Sequence, residues 1–262
     1  MRAVSAPWKT SPPSVDPDPL THKWKKSLLA LVLFGVAFGY LEAAVVGYLR
    51  ILHESSRRRF HPDRQPGDLF PLLTRDEVRT TGQSKTLAIE IGREISTMLM
   101  LAAVALAVAG NFGQWTAAFV IAFGVWDIAF YVFLKILLGW PASLLTWDIL
   151  FLIPVPWVAP VLAPVLVAAA MVAGGVCHLW LESIGRRAHL NAWHAAGIVA
   201  GGLVIIVSFT LDYPNITAGG LPVAFPWSVF ALGMAIGIAS YAHAALRPPV
   251  WTRPGDAGDI TR

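Results

Sequence analysis

The sequence predicts an all-α integral membrane protein of about six transmembrane helices, with one half-helix or re-entrant segment over about 144–157. Three observations carry that prediction. Of 262 residues, 56% are apolar and only 14% charged, against about 25% charged in soluble domains. Apolar runs long enough to cross a bilayer recur from Ser27 to Leu246. The third observation is the stretch Phe123–Pro164, where Asp127, Lys135 and Asp148 stand inside apolar sequence and W-D-I-x-F occurs twice, at Trp126–Phe130 and Trp147–Phe151. A charged group away from water is costly, so this stretch must find partners elsewhere in the chain.

Residues 1–26 are expected to be a disordered cytoplasmic tail: the first 22 contain five prolines and few apolar groups. Lys23, Lys25 and Lys26 then flank the first span, 27–49, which is longer than a signal-peptide core and lacks a small-x-small cleavage pattern after it. It carries Gly35-x-x-x-Gly39, a small-residue face that admits another helix, and Glu42 interrupts it. Residues 50–85 read as a polar loop with Arg57-Arg58-Arg59 and Pro62, Pro66 and Pro71.

The second span, 86–110, opens on Glu90-Ile-Gly-Arg93-Glu94, polar for a helix entering lipid. Glu90 and Glu94 share a face. In the third, 115–138, Asp127, Tyr131 and Lys135 recur every four residues and form one stripe, in which the aspartate and the lysine can neutralise each other through Tyr131 or a water, or either can bind something from outside. From Leu144 to Leu181 there are 38 residues, too few for two spans and a turn and too many for one. Pro154 and Pro156 block a continuous helix. A half-helix at 144–153, a bend at Pro154–Trp157 and a span over 160–182 are expected. Broken segments of this kind often mark binding sites in transporters. The competing reading is a flat interfacial helix with Trp140, Trp147 and Trp157 as an aromatic belt.

Spans at 193–211 and 226–246 and a disordered tail, 247–262, complete a single polytopic membrane domain, 27–246. The last span carries a second small-residue pair, Gly233-x-x-x-Gly237. Both termini fall on one side. Arg186 and Arg187, in a short loop, favour that side being cytoplasmic, and the expected location is a bacterial inner (plasma) membrane. The small net charge of +4, with basic residues at segment ends, suits anionic headgroups and not nucleic acid. The bilayer is therefore the expected partner, with a homo-oligomer or partner membrane subunits next, since six spans leave little wall around a pathway. The single cysteine, Cys177, excludes an intrachain disulfide and any cysteine-cluster metal site.

Depth brings the polar residues together. At about 1.5 Å per residue, Glu42 lies roughly 10 Å below the far surface, Glu94 roughly 12 Å and Asp127 roughly 16 Å. Glu42, Glu90, Arg93, Glu94, Asp127, Tyr131, Lys135, Asp148 and Trp157 make the candidate site in the outer half of the membrane. Such a set suits binding or translocation of a small solute, cation, proton or lipid headgroup, with Glu94 or Asp127 taking up a proton. The alternative is an embedded enzyme acting on a lipid or polyprenyl substrate, with carboxylates as acid and base. A third reading is a structural or assembly subunit whose charges only join helices.

If a metal is bound, Glu42, Glu94 and Asp127 are the candidate ligands, although H-E-x-x-H, D-D-x-x-D, G-x-S-x-G and P-loop patterns are all missing. Near the other surface, His178, His194 and His243 are candidate haem ligands, with polar helix caps as the simpler reading. No particular cofactor is predicted.

Overall fold

The structure, a computed structural model, describes residues 19–60, 62–63, 84–186 and 188–247. The expected tails before Pro19 and after Arg247, and most of the polar loop, lie outside these residues. In chain order come α1 (Pro19–Phe60), α2 (Ser84–Val108), α3 (Phe112–Leu138), β1 (Trp147–Phe151), β2 (Trp157–Pro160), α4 (Leu162–Ser183), α5 (Ala192–Thr210), the short α6 (Tyr213–Thr217) and α7 (Trp227–Leu246). Among the described residues, six helices are long and apolar enough to cross a membrane: Lys23–Leu52, Ala88–Val108, Phe112–Leu138, Leu162–Ser183, Ala192–Thr210 and Trp227–Leu246. Six crossings put Pro19 and Arg247 on one side, called here the terminal side.

The helix α1 is longer at both ends than the apolar run. It starts at Pro19, inside the expected tail, and continues through Arg57-Arg58-Arg59 to Phe60. The extension is polar and gains an i,i+4 bond from Arg58 to Glu54 at 2.7 Å. Within the span, Leu31, Gly35, Phe38, Glu42 and Ala43 are buried at helical spacing. Leu33, Tyr40 and Leu41 on other faces are about half exposed, as lipid-facing residues should be.

The helix α3 is the centre of the bundle, packed between α1 and α4 and bearing α2 on its flank. Its ends are defined locally. The Asn111 side chain accepts from the Gln114 amide, and Gly139, at φ 67°, donates its amide to the Lys135 carbonyl. The Gly35-x-x-x-Gly39 face lies directly on α3. A methyl at Gly39 would come within 2.8 Å of the Phe130 nitrogen and 2.9 Å of the Trp126 oxygen, and one at Gly35 within 2.8 Å of Val125. Backbone atoms cannot step aside as a flexible side chain can. Gly39→Val is therefore expected to lower stability by at least about 1–3 kcal/mol, read as a fall in the unfolding temperature in detergent. Gly92→Ala, whose added carbon meets nothing within 4 Å, should leave it unchanged.

Helices α5 and α7 form a second close pair, crossing where Gly201 faces the backbone of Gly233 and Gly237. Between the two groups of helices lies the largest departure from expectation. Residues 144–153 do not form a half-helix. They enter an antiparallel β-hairpin pairing Trp147 with Pro160, Asp148 with Ala159, Ile149 with Val158 and Phe151 with Trp157, with an irregularity after Ile149. The cause is local. Pro154 and Pro156 cannot continue a helix, and each pushes the residue before it into extended backbone.

The hairpin is re-entrant. Asp148 sits beside Tyr131, whereas Phe151 packs with Phe123 and Trp126, deeper along α3. Its return strand carries Trp157 against Phe209 of α5. Irregular backbone at such depth requires burial in protein, and Val158, Ala159 and Pro160 are all buried.

Candidate functional site

The polar residues divide into a bracing network and a smaller carboxylate pair. Glu42 of α1 is 6% exposed, so its charge needs direct partners. Arg93 of α2 supplies one, donating from Nη1 to Glu42 Oε2 and from Nε to Glu90 Oε2 at 2.9 Å. The Thr97 hydroxyl donates to Glu42 Oε1 at 2.9 Å. Thr97 was not singled out from sequence. Its signal is the spacing Arg93-x-x-x-Thr97, which puts both side chains on the face turned to α1.

Glu94 points elsewhere. Both of its carboxylate oxygens accept the Leu152 amide, at 3.1 and 3.2 Å. Leu152 immediately follows β1, where its amide would otherwise be unpaired inside the bundle. Glu94 is thus a side-chain cap on the re-entrant hairpin. Glu42, Glu90, Arg93, Glu94 and Thr97 together tie α2 to α1 at one point and to the hairpin at another.

The second group lies where α3 meets β1. The Tyr131 hydroxyl donates to Asp148 Oδ2 at 2.9 Å. Asp127, one turn earlier on α3, is near enough to Asp148 for the two carboxylates to repel. Its Oδ2 is buried and has no hydrogen-bond partner among the described residues. Arg50 of α1 is near enough for its charge to act on Asp148 and lies over the Trp140 ring at 4.3 Å.

The apolar run ends at Leu49, so the sequence alone puts Arg50 in the polar loop. The helix continues past that point, and Arg50 stands two turns beyond Glu42. Asp148 belongs to the connection between spans. Its carboxylate is held by the Tyr131 hydrogen bond and lies within reach of the Arg50 charge.

Lys135 does not neutralise Asp127, although the four-residue spacing allows it. Its Nζ donates to the carbonyls of Gly139 and Pro141, at 3.2 and 2.9 Å. A cation at the C-terminus of a helix satisfies carbonyls that have no partner within it, and that requirement has claimed the lysine. Trp157 packs at a tilt between Phe151 and Phe209, with centroids 5.6 and 6.2 Å away. The indole nitrogens of Trp157 and Trp126 are both buried without a partner among the described residues.

The candidate metal ligands Glu42, Glu94 and Asp127 are divided among these separate arrangements. No group of three or more His, Cys, Asp or Glu side chains arranged for a metal occurs among the described residues. The candidate haem ligands are likewise separated. His178 faces Glu182 at 3.8 Å, while His194 Nε2 and His243 Nδ1 are 3.0 Å apart and hydrogen-bonded. Two nitrogens in direct contact leave no space for an iron between them.

Fold and site define a class: a polytopic membrane protein of six spanning helices with a re-entrant β-hairpin clamped by a buried glutamate. The chain matches no family model, no curated protein and no solved structure.

Proposed function

We propose that this protein binds and passes a proton or a small cation at the Asp127–Tyr131–Asp148 group, beside the re-entrant hairpin. The observation that carries the reading is the unpartnered Oδ2 of Asp127, close to a second carboxylate. Buried polar atoms are nearly always satisfied, and an exception marks a place where water, an ion or a ligand belongs. Two neighbouring carboxylates also cannot both stay ionised in a poorly polarisable site without a shared proton or a cation. Arg50, near Asp148, supplies a charge that entry of a cation must work against. That suits a site which releases its ion as well as binding it.

The Arg93 network has a different role in this reading. Its carboxylates are already occupied by a guanidinium, a hydroxyl and a backbone amide, so it frames the site instead of forming it. The side bearing the termini is taken as cytoplasmic on the short basic loop at Arg186, and the site then opens toward the opposite leaflet.

The test is flux in proteoliposomes loaded with a pH-sensitive dye, under imposed Na⁺, K⁺ or proton gradients. Protein-dependent dissipation of one gradient supports the reading. Its absence under all of them, together with turnover of a lipid-like substrate, would move the same carboxylates to the role of general acid and base.

A further inference from the structure

On the terminal side, the ends of helices α5 and α7 flank an open, shallow cleft of about 420 Å³ lined by Asn191, Trp193, His194, Ser240, His243 and Arg247, with Ala239. No carboxylate lines it among the described residues. The cleft is remote from the acidic group around the hairpin and has the opposite electrostatic character.

The hydrogen bonds within the cleft dictate where its protons lie. A backbone amide can only donate, and the Asn191 amide points at His194 Nδ1, 3.3 Å away. Nδ1 of His194 is therefore the acceptor, and the neutral ring carries its proton on Nε2. That Nε2–H donates to His243 Nδ1 at 3.0 Å. His243 in turn carries its own proton on Nε2, at the outer end of the chain. The Asn191 side-chain oxygen accepts from the His194 amide, which leaves the amide NH₂ of Asn191 as a further donor.

Around one cleft stand the His243 N–H, the Asn191 NH₂ and the Arg247 guanidinium. The Ser240 hydroxyl is already committed to the Ile236 carbonyl at 2.7 Å. Beside them Trp193 is 84% exposed and Leu246 79% exposed, an indole and an aliphatic chain at a helix end where headgroups meet acyl chains.

We infer that this cleft between α5 and α7 is a binding site for the phosphate of an anionic phospholipid in the terminal-side leaflet. Donors without a competing carboxylate suit a phosphate oxygen, and Arg247 supplies the charge that distinguishes an anionic headgroup from a zwitterionic one. Basic pockets between transmembrane helices take headgroups in this way. Trp193 and Leu246 would flank the glycerol and the first carbons of the chains.

The experiment is native mass spectrometry of the detergent-solubilised full chain titrated with phosphatidylglycerol, phosphatidylcholine or inorganic phosphate. Wild type should retain phosphatidylglycerol in preference to phosphatidylcholine. The His243→Gln/Arg247→Gln variant should lose roughly tenfold in that retention, the scale of one or two hydrogen bonds to a charged group. Arg58→Gln, on α1 at the opposite end of the bundle, should retain it fully and shows that removing any arginine is not enough. Equal retention of both lipids by wild type, or undiminished retention by a correctly folded double variant, would overturn the assignment. Binding of inorganic phosphate without phosphatidylglycerol would show a site for a free anion and overturn it as well.

Discussion

Asp127→Asn is expected to abolish ion or proton flux while leaving the unfolding temperature equal to or above that of the parent. Most substitutions of buried residues destabilise, so this combination is diagnostic. Asp127 contributes no hydrogen bond through Oδ2 and is repelled by Asp148. Replacing it with the neutral isostere removes that repulsion and the desolvation cost of a charge. It also adds an NH₂ donor that Asp148 can accept. What the variant loses is the ability to exchange a proton or coordinate a cation at that point. A fall in stability with flux intact would mean that the aspartate is a structural member of the bundle, and the proposed site would be wrong. Asp127→Glu is the companion variant. It keeps the charge, so a flux that recovers in part would separate chemistry from packing.

Arg93→Met should produce the opposite pattern, a large loss of stability. The guanidinium is the shared partner of Glu42 and Glu90. Removing it leaves two carboxylates in the interface between α1 and α2 with only the Thr97 hydroxyl to help. Breaking one partner out of a buried pair costs about 3–5 kcal/mol, because the remaining charge is left uncompensated. The double variant Glu42→Gln/Arg93→Met should recover a substantial part of that loss, since the most buried unpaired charge is gone. Unfolding temperatures of the four members of the cycle give the coupling directly. Additive effects would show that Arg93 does not act through Glu42. The helix α2 makes few other contacts with α1, so the polar bridge carries weight that side-chain packing carries elsewhere in the bundle.

These two expectations separate charges that hold the fold from charges left free to work. Spacing alone could not separate them. Helical rise put Glu42, Glu94 and Asp127 at similar expected depth, but the structure divides them between the Arg93 network, the Leu152 amide and the Asp127–Asp148 pair. Periodicity likewise allowed Asp127 to pair with Lys135, and there the structure disagrees. The lysine sits in the last turn of α3, where the free carbonyls of the helix end compete for its protons and win.

By itself the sequence determined the membrane class, the six spans, the small-residue face of α1 and the break forced by Pro154 and Pro156. Each of these follows from near-neighbour chemistry: apolar run length, helical periodicity, or a missing backbone donor. The tertiary structure alone decided what the break becomes. The pattern W-D-I-x-F is helical at Trp126–Phe130 and a strand at Trp147–Phe151. The copies differ only in Ala129 against Leu150, both good helix formers, so local propensity does not account for the difference. The first continues into a helix capped at Gly139. The second is followed by prolines and meets a partner strand, a tyrosine on α3 and, at Leu152, a carboxylate on α2 that accepts the next free amide. Those partners lie far along the chain, which is why only folding brings them to bear.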